Sequence, residues 1–400
     1  MEAAARFRDV FAVREFRVLF GGFALLVIGE QVKMLALSVL VYARTGSAGL
    51  SALAYMAGWL PYLAGGTLLL ALADRLPPRG LMVAGELTRL VVCLALAFAG
   101  LPIWAMLALV LVTGLFAPVF GAVRNAVLPD LLPGDAFVLG RSLLGVTSAS
   151  AQIAGLAVGG AFIALTGPEG ALAGTAALSG VAAVVLRLGL PGLPARGERR
   201  AGTVRATLRG NRELLGDRRV RGLLLAQWLP VLFLAGAEAM FVPYLTGAAS
   251  AALAAAAAGM AAGEFAVGRF ARPALRERLA FPLAAALGLP LTLFALRPGP
   301  VAAAALAALA AACLGYNLGL QRRFVDAVPE RVRGQAFGVA SAGLMTGQAV
   351  GAALVGVLAE LTTPHHAIAL SGLGAVAAAL ALRRHLTPVR EGVESVGAAH

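Results

Sequence analysis

A chain of 400 residues that is 60% hydrophobic and 13% charged, with a mean hydropathy of +0.86, is excluded from the soluble globular class. Its formal net charge of +13 does not indicate nucleic acid, because the basic residues are dispersed in short segments between long apolar runs. Strands of alternating polarity, which a membrane barrel requires, are absent, so the class is an all-α polytopic membrane protein.

Residues 1–17 carry Arg6, Arg8, Arg14 and Arg17, and no small-residue cleavage site follows the apolar run that begins at Val18. That run is read as a retained first span. At about 20 apolar residues per crossing, the sequence predicts twelve transmembrane helices: 18–43, 48–72, 80–100, 102–123, 142–165, 170–190, 222–246, 250–269, 279–297, 300–320, 334–361 and 366–384. Gly or Pro marks the tight turns, as at Thr45-Gly46, Thr166-Gly167-Pro168, Thr246-Gly247 and Thr363-Pro364. Of the 33 basic residues only Lys33, Arg44, Arg89 and Arg297 fall outside the segments that this topology assigns to the cytoplasm. So lopsided a distribution predicts a cell (plasma) membrane protein with both termini cytoplasmic.

The halves repeat. Gln152–Pro168 aligns without gaps on Gln348–Pro364, with seven of 17 positions identical, among them Gln152/Gln348, Gly155/Gly351, Gly160/Gly356 and Pro168/Pro364. The predicted organisation is two six-helix pseudo-repeats: an N-terminal bundle over 1–190, a basic linker over 191–221, a C-terminal bundle over 222–385 and a cytoplasmic tail over 386–400. The linker holds nine arginines, and Val204, Leu208, Asn211 and Leu215 within it fall near helical spacing. Part of it is therefore expected to lie as an amphipathic helix on anionic lipid. Two parallel-repeat bundles around a central inside loop are the architecture of halves that rock about a site at the membrane midplane.

Ionisable residues deep in spans are costly and mark candidate sites. Glu30 and Lys33, three apart on one helical face, can reach each other. With Glu238 of the seventh span they are the proton-coupling candidates; a static Glu30–Lys33 pair is the competing reading. Gln152, Gln227, Tyr316, Asn317 and Gln348 are neutral hydrogen-bonding candidates for a cavity wall, against ordinary helix-to-helix bonding.

The second span ends in Asp74-Arg75-Leu76-Pro77-Pro78-Arg79, followed by Glu86 and Arg89. This resembles the loop between helices 2 and 3 of the major facilitator superfamily, most closely the drug:proton antiporter branch that includes macrolide-efflux-like proteins. The resemblance implies a cytoplasmic gate built from Asp74, Arg75, Arg79, Glu86 and Arg89. The chain departs from the motif at Leu70, where a glycine is usual, and at Pro77-Pro78, which replaces a glycine-basic pair. Gly155, Gly159 and Gly160, with Gly351 and Gly356 in the second half, resemble the antiporter signature of that superfamily; Leu156 stands at its proline position. Small residues at this spacing let two helix backbones approach closely.

The function expected from this resemblance is proton-coupled export of a hydrophobic or amphipathic small molecule, such as a drug or secondary metabolite, by a monomer in the lipid bilayer. Import by the same fold and a non-transporting scaffold or receptor are the alternatives. An enzyme is not expected: His365, His366, His385 and His400 lie near or beyond span ends, and no HExxH or nucleophile elbow occurs. Cys93 and Cys313 sit in apolar runs, so no metal or other cofactor is implied, and no P-loop is present.

Overall fold

The computed structural model describes residues 7–69, 76–132, 135–192 and 204–387, and every regular element among them is helical. Asp74 and Arg75 of the expected gate lie outside the described residues, as do Arg196, Arg199 and Arg200 of the linker and the tail from residue 388. Nine helical stretches among the described residues are long and apolar enough to cross a membrane.

Two of those stretches exceed one crossing. Leu139–Gly189 and Arg218–Phe270 contain 51 and 53 residues, which at 1.5 Å per residue is more than twice a hydrocarbon core of about 30 Å. Each doubles back. Gly167 has φ 76° and ψ 170°, outside the helical region, and Thr166 and Phe162 before it pack on Gly170 and Gly174 after it. In the second stretch the reversal falls at Thr246, where φ is 47° and the following helix begins at Ala249. The predicted turns at Gly167 and Thr246-Gly247 are therefore where the chain reverses.

Neighbouring glycines report how the helices run. Helix α1 (Arg14–Thr45) lies between the two arms of the 135–189 stretch. Gly155 and Gly159 meet Ile28 and Val32 of α1, so the first arm runs parallel to it. Leu186 meets Gly22 and Thr175 meets Gly29, so the second arm runs antiparallel. In the second half the helix Arg218–Ala239 is flanked in the same way. Arg333–Leu361 runs parallel to it, with Gly343 on Trp228 and Gly351 on Leu232, and Pro364–Ala381 runs antiparallel, with Gly374 on Phe233. A Cβ at Gly351 would meet the carbonyl of Leu232, so close backbone approach requires glycine there.

Residues 48–68, read from the sequence as part of one continuous span, are broken. Helix α2 (Ala48–Met56) passes through a 3-10 turn at Ala57–Trp59, and helix α3 (Tyr62–Leu68) resumes after Pro61. Proline lacks an N–H and its ring displaces the preceding turn, which frees backbone groups inside the membrane. A hydroxyl from the other half meets two of them: Leu63 N–H donates to Thr346 Oγ1 at 3.1 Å, and that hydroxyl lies 3.5 Å from the Trp59 carbonyl.

The halves touch mainly at the end away from the linker. Ser47 caps α2 through Leu50 N–H and donates to Glu360 Oε1 at 2.6 Å, while Gly49 N–H donates to the same oxygen at 2.8 Å. Gly49 and Gly356 pack backbone to backbone, and Gly160 packs on Ser250. Thus Gly160 and Gly356, which align in the sequence repeat, both sit at contacts between halves. At the linker end the helix Val204–Gly216 is docked on protein as well as facing outward. Leu214 is buried, and Gln335 Nε2 donates to Asn211 Oδ1 at 2.7 Å.

Candidate functional site

Three cavities follow from this packing. The first lies inside the N-terminal half and is charged. It occupies about 200 Å³ between α1, the α2–α3 break, helix α4 (Pro78–Phe98) and the helices Ile103–Gly114 and Ala117–Leu131, α5 and α6. Lys33 Nζ lies 2.7 Å from Glu30 Oε1, so the pair predicted from spacing is formed. The pair has a third member that spacing along one helix does not reveal. Arg89 Nε is 3.5 Å from Glu30 Oε2, and Arg89 Nη1 is 2.9 Å from Glu86 Oε2. Arg89 therefore bridges two carboxylates on different helices.

The expected cytoplasmic gate grouped Glu86 and Arg89 with Asp74, Arg75 and Arg79. Both sit two to three turns into α4, facing α1; Glu86 is 3% exposed. Arg79 does lie at the linker end, where its Nη1 donates to the Leu190 carbonyl at 3.2 Å. The bond ties the start of α4 to the end of the second arm within one half.

The second cavity, of about 230 Å³, lies between the halves. The first half contributes Gln31, Tyr55, Trp59 and Gln152; the second contributes Glu238, Glu264, Asn317 and Gln348, and the remaining wall is mostly Leu, Val, Ala and Met. Gln152 and Gln348, equivalent in the sequence repeat, thus face one space from opposite sides. Glu238 makes no ion pair or hydrogen bond among the described residues. An ionised carboxylate on an apolar wall at membrane depth costs a few kcal/mol, and a proton, or a cationic group on a bound molecule, removes that cost.

Two of the five cavity-wall candidates are placed elsewhere. Tyr316 is fully buried, and its hydroxyl donates to the Ala226 carbonyl at 3.0 Å, so it fixes one helix against another. Gln227 lies beside that bond and does not line the cavity. Gln31, Tyr55 and Trp59, absent from the sequence candidates, also line the cavity. Gln31 was visible as an amide next to Glu30, whereas the two aromatics had no signal beyond their position in an apolar run.

The third cavity, of about 790 Å³, opens at the linker end between α3, the helix Val204–Gly216 and Arg333–Leu361. Its walls are apolar apart from Asn211, Arg212, Thr67 and Thr346. Trp59 is shared by the first two cavities, and Thr346, bonded at the α2–α3 break, borders the third. Among the described residues no group of three metal-ligating side chains occurs.

A sequence profile described as the Major Facilitator Superfamily matches residues 19–322. None of the curated proteins compared matches the chain. Among solved structures, a bacterial homologue of the human lysosomal transporter Spinster, inward-facing and unoccupied, superposes with a TM-score of 0.66 at 16% identity, covering 93% of this chain and 95% of its own. A mutant of the nucleoside transporter NupG gives 0.68 at 16%, covering 93% and 99%. A transporter of the POT family, in complex with a thioalcohol-conjugated peptide, gives 0.68 at 12%, covering 93% and 96%. At these identities the likeness is one of fold.

Proposed function

The chain belongs to the Major Facilitator Superfamily and is a multi-pass membrane transporter, and we propose that it exports hydrophobic or amphipathic small molecules in exchange for protons, by alternating access. The observation that carries this reading is the cavity between the halves. Its wall is mostly apolar, it holds the neutral hydrogen-bonding groups Gln31, Gln152, Asn317 and Gln348, and it carries Glu238, whose carboxyl has no partner among the described residues. Such a wall suits an apolar body with a few polar groups.

Of the two coupling candidates, Glu238 fits better than Glu30. Glu30 is held by both Lys33 and Arg89, so a proton arriving there must displace two cations. Glu238 has none to displace. We assign coupling to Glu238 and a scaffolding role to the Glu30–Lys33–Arg89–Glu86 group. The twelve-span, two-repeat reading belongs to the same proposal. Splitting the two long stretches at Gly167 and Thr246 and adding the broken 48–68 segment accounts for twelve crossings.

Inside-out vesicles with an acidified lumen test the function. Adding members of a panel of amphipathic antibiotics and dyes is expected to release lumenal protons, read by an acridine probe, only where the chain is present. Accumulation of panel compounds by right-side-out vesicles would make it an importer, and flux in neither preparation would make it a scaffold. Orientation is tested separately, in a background without Cys93 and Cys313. Cysteines placed at Thr207 and Glu391 are expected to be shielded from an impermeant thiol reagent in intact cells, while one at Glu169 labels. The reverse pattern would invert the assignment of cytoplasmic termini.

A further inference from the structure

Among the described residues, the charged cavity inside the N-terminal half holds one cation more than its acids balance. Glu30 and Glu86 are matched by Lys33 and Arg89. Arg124, on α6, also lines this cavity. Its guanidinium carbon lies 4.0 Å from the centre of the Phe23 ring, and it makes no hydrogen bond or ion pair among the described residues. The ring face attracts the cation but leaves its N–H donors unused. Tyr62 brings a second unused donor. Its hydroxyl lies against Gly121, one turn before Arg124 on the same helix, and it too makes no hydrogen bond among the described residues.

From this we propose that the cavity binds a small monovalent anion between the Arg124 guanidinium and the Tyr62 hydroxyl. Two donors line one space, and neither has an acceptor among the described residues. The local charge is one positive, and Leu26, Phe120 and Val92 form much of the surrounding wall. An anion satisfies both donors and neutralises the group, and charge-assisted hydrogen bonds of this kind are about twice as strong as neutral ones. A volume of about 200 Å³ accepts a halide or nitrate ion with several waters, or the carboxylate end of a larger molecule, but no drug-sized body. The site is therefore separate from the cavity that holds Glu238, with Trp59 as the wall between them.

Binding of radiolabelled chloride to the purified full-length protein in lipid nanodiscs, at constant ionic strength set with sodium HEPES, a bulky anion without a carboxylate, tests this directly. Saturable binding displaced by bromide and nitrate is expected. If acetate displaces chloride equally well, the site is built for a carboxylate; if acetate does not, it is built for a free inorganic ion. Arg124→Gln is expected to abolish binding, and Tyr62→Phe to weaken it about tenfold, as for one hydrogen bond to a charged group. Arg44→Gln, at the opposite end and on the surface, is expected to leave it unchanged. Absence of saturable binding in the parent protein overturns the proposal, as does undiminished binding in Arg124→Gln. Should Arg124→Gln fail to fold, undiminished binding in Tyr62→Phe overturns it.

Discussion

Arg89→Ala is expected to destabilise the solubilised protein by about 3–5 kcal/mol, the usual cost of removing one partner from a buried ion pair. Among the described residues the change leaves Glu86, which is 3% exposed, with no cation, and leaves Glu30 dependent on Lys33 alone. The penalty comes from the stranded carboxylate more than from the lost attraction. A second substitution separates the two. Glu86→Gln combined with Arg89→Ala removes that charge and is expected to recover at least about half of the loss. Lys33→Met is expected to cost less than Arg89→Ala, since Glu30 keeps Arg89 at 3.5 Å. Thermal unfolding followed by tryptophan fluorescence in a single detergent ranks the variants. Equal midpoints for Arg89→Ala and the parent would mean that the group is wet and carries no structural weight.

That cluster shows how far the sequence could be read. Glu30 and Lys33 were visible as a pair because three residues along a helix fix their separation, whatever the rest of the chain does. Arg89 and Glu86 have the same spacing, but their link to Glu30 depends on which face of α4 meets α1. Spans that are apolar all round give little indication of that face. Tyr316 is hard to place from sequence for the same reason: the hydrogen bond from its hydroxyl to the Ala226 carbonyl shows which way its helix faces. The break in the second span had local signals in Gly58 and Pro61 that an uninterrupted apolar run concealed. Gln152 and Gln348 were better guides, because the sequence repeat places equivalent positions on opposing faces of the central space. Contacts such as Ser47 with Glu360, from opposite halves, have no local signature at all.

Glu238→Gln is expected to abolish uphill transport driven by a pH gradient while leaving exchange of substrate across the membrane intact. Glutamine keeps the shape and hydrogen-bonding capacity of a protonated glutamate, so the cavity wall and its packing are preserved. What it removes is the alternation between a charged and a neutral group. In the parent protein an ionised Glu238 has no counter-charge among the described residues, and the few kcal/mol this costs favours whichever state lets the carboxyl reach water, a proton or a cationic substrate. That difference between states is what coupling requires, because a ligand shifts an equilibrium only by its differential affinity for the two conformations. Moving from mostly one state to mostly the other takes about 5 kcal/mol, so a single unpaired carboxylate supplies much of the bias. Proteoliposomes with an imposed gradient are expected to show at least a tenfold loss of concentrative transport for Glu238→Gln, with counterflow near the parental rate. Glu30→Gln is expected to behave differently, lowering stability by disturbing Lys33 and Arg89 but keeping the response to the gradient in whatever protein survives. If Glu238→Gln still concentrates substrate and Glu30→Gln does not, coupling belongs to the charged group of the first half, and the unpaired carboxyl in the central cavity serves only to bind cationic substrates.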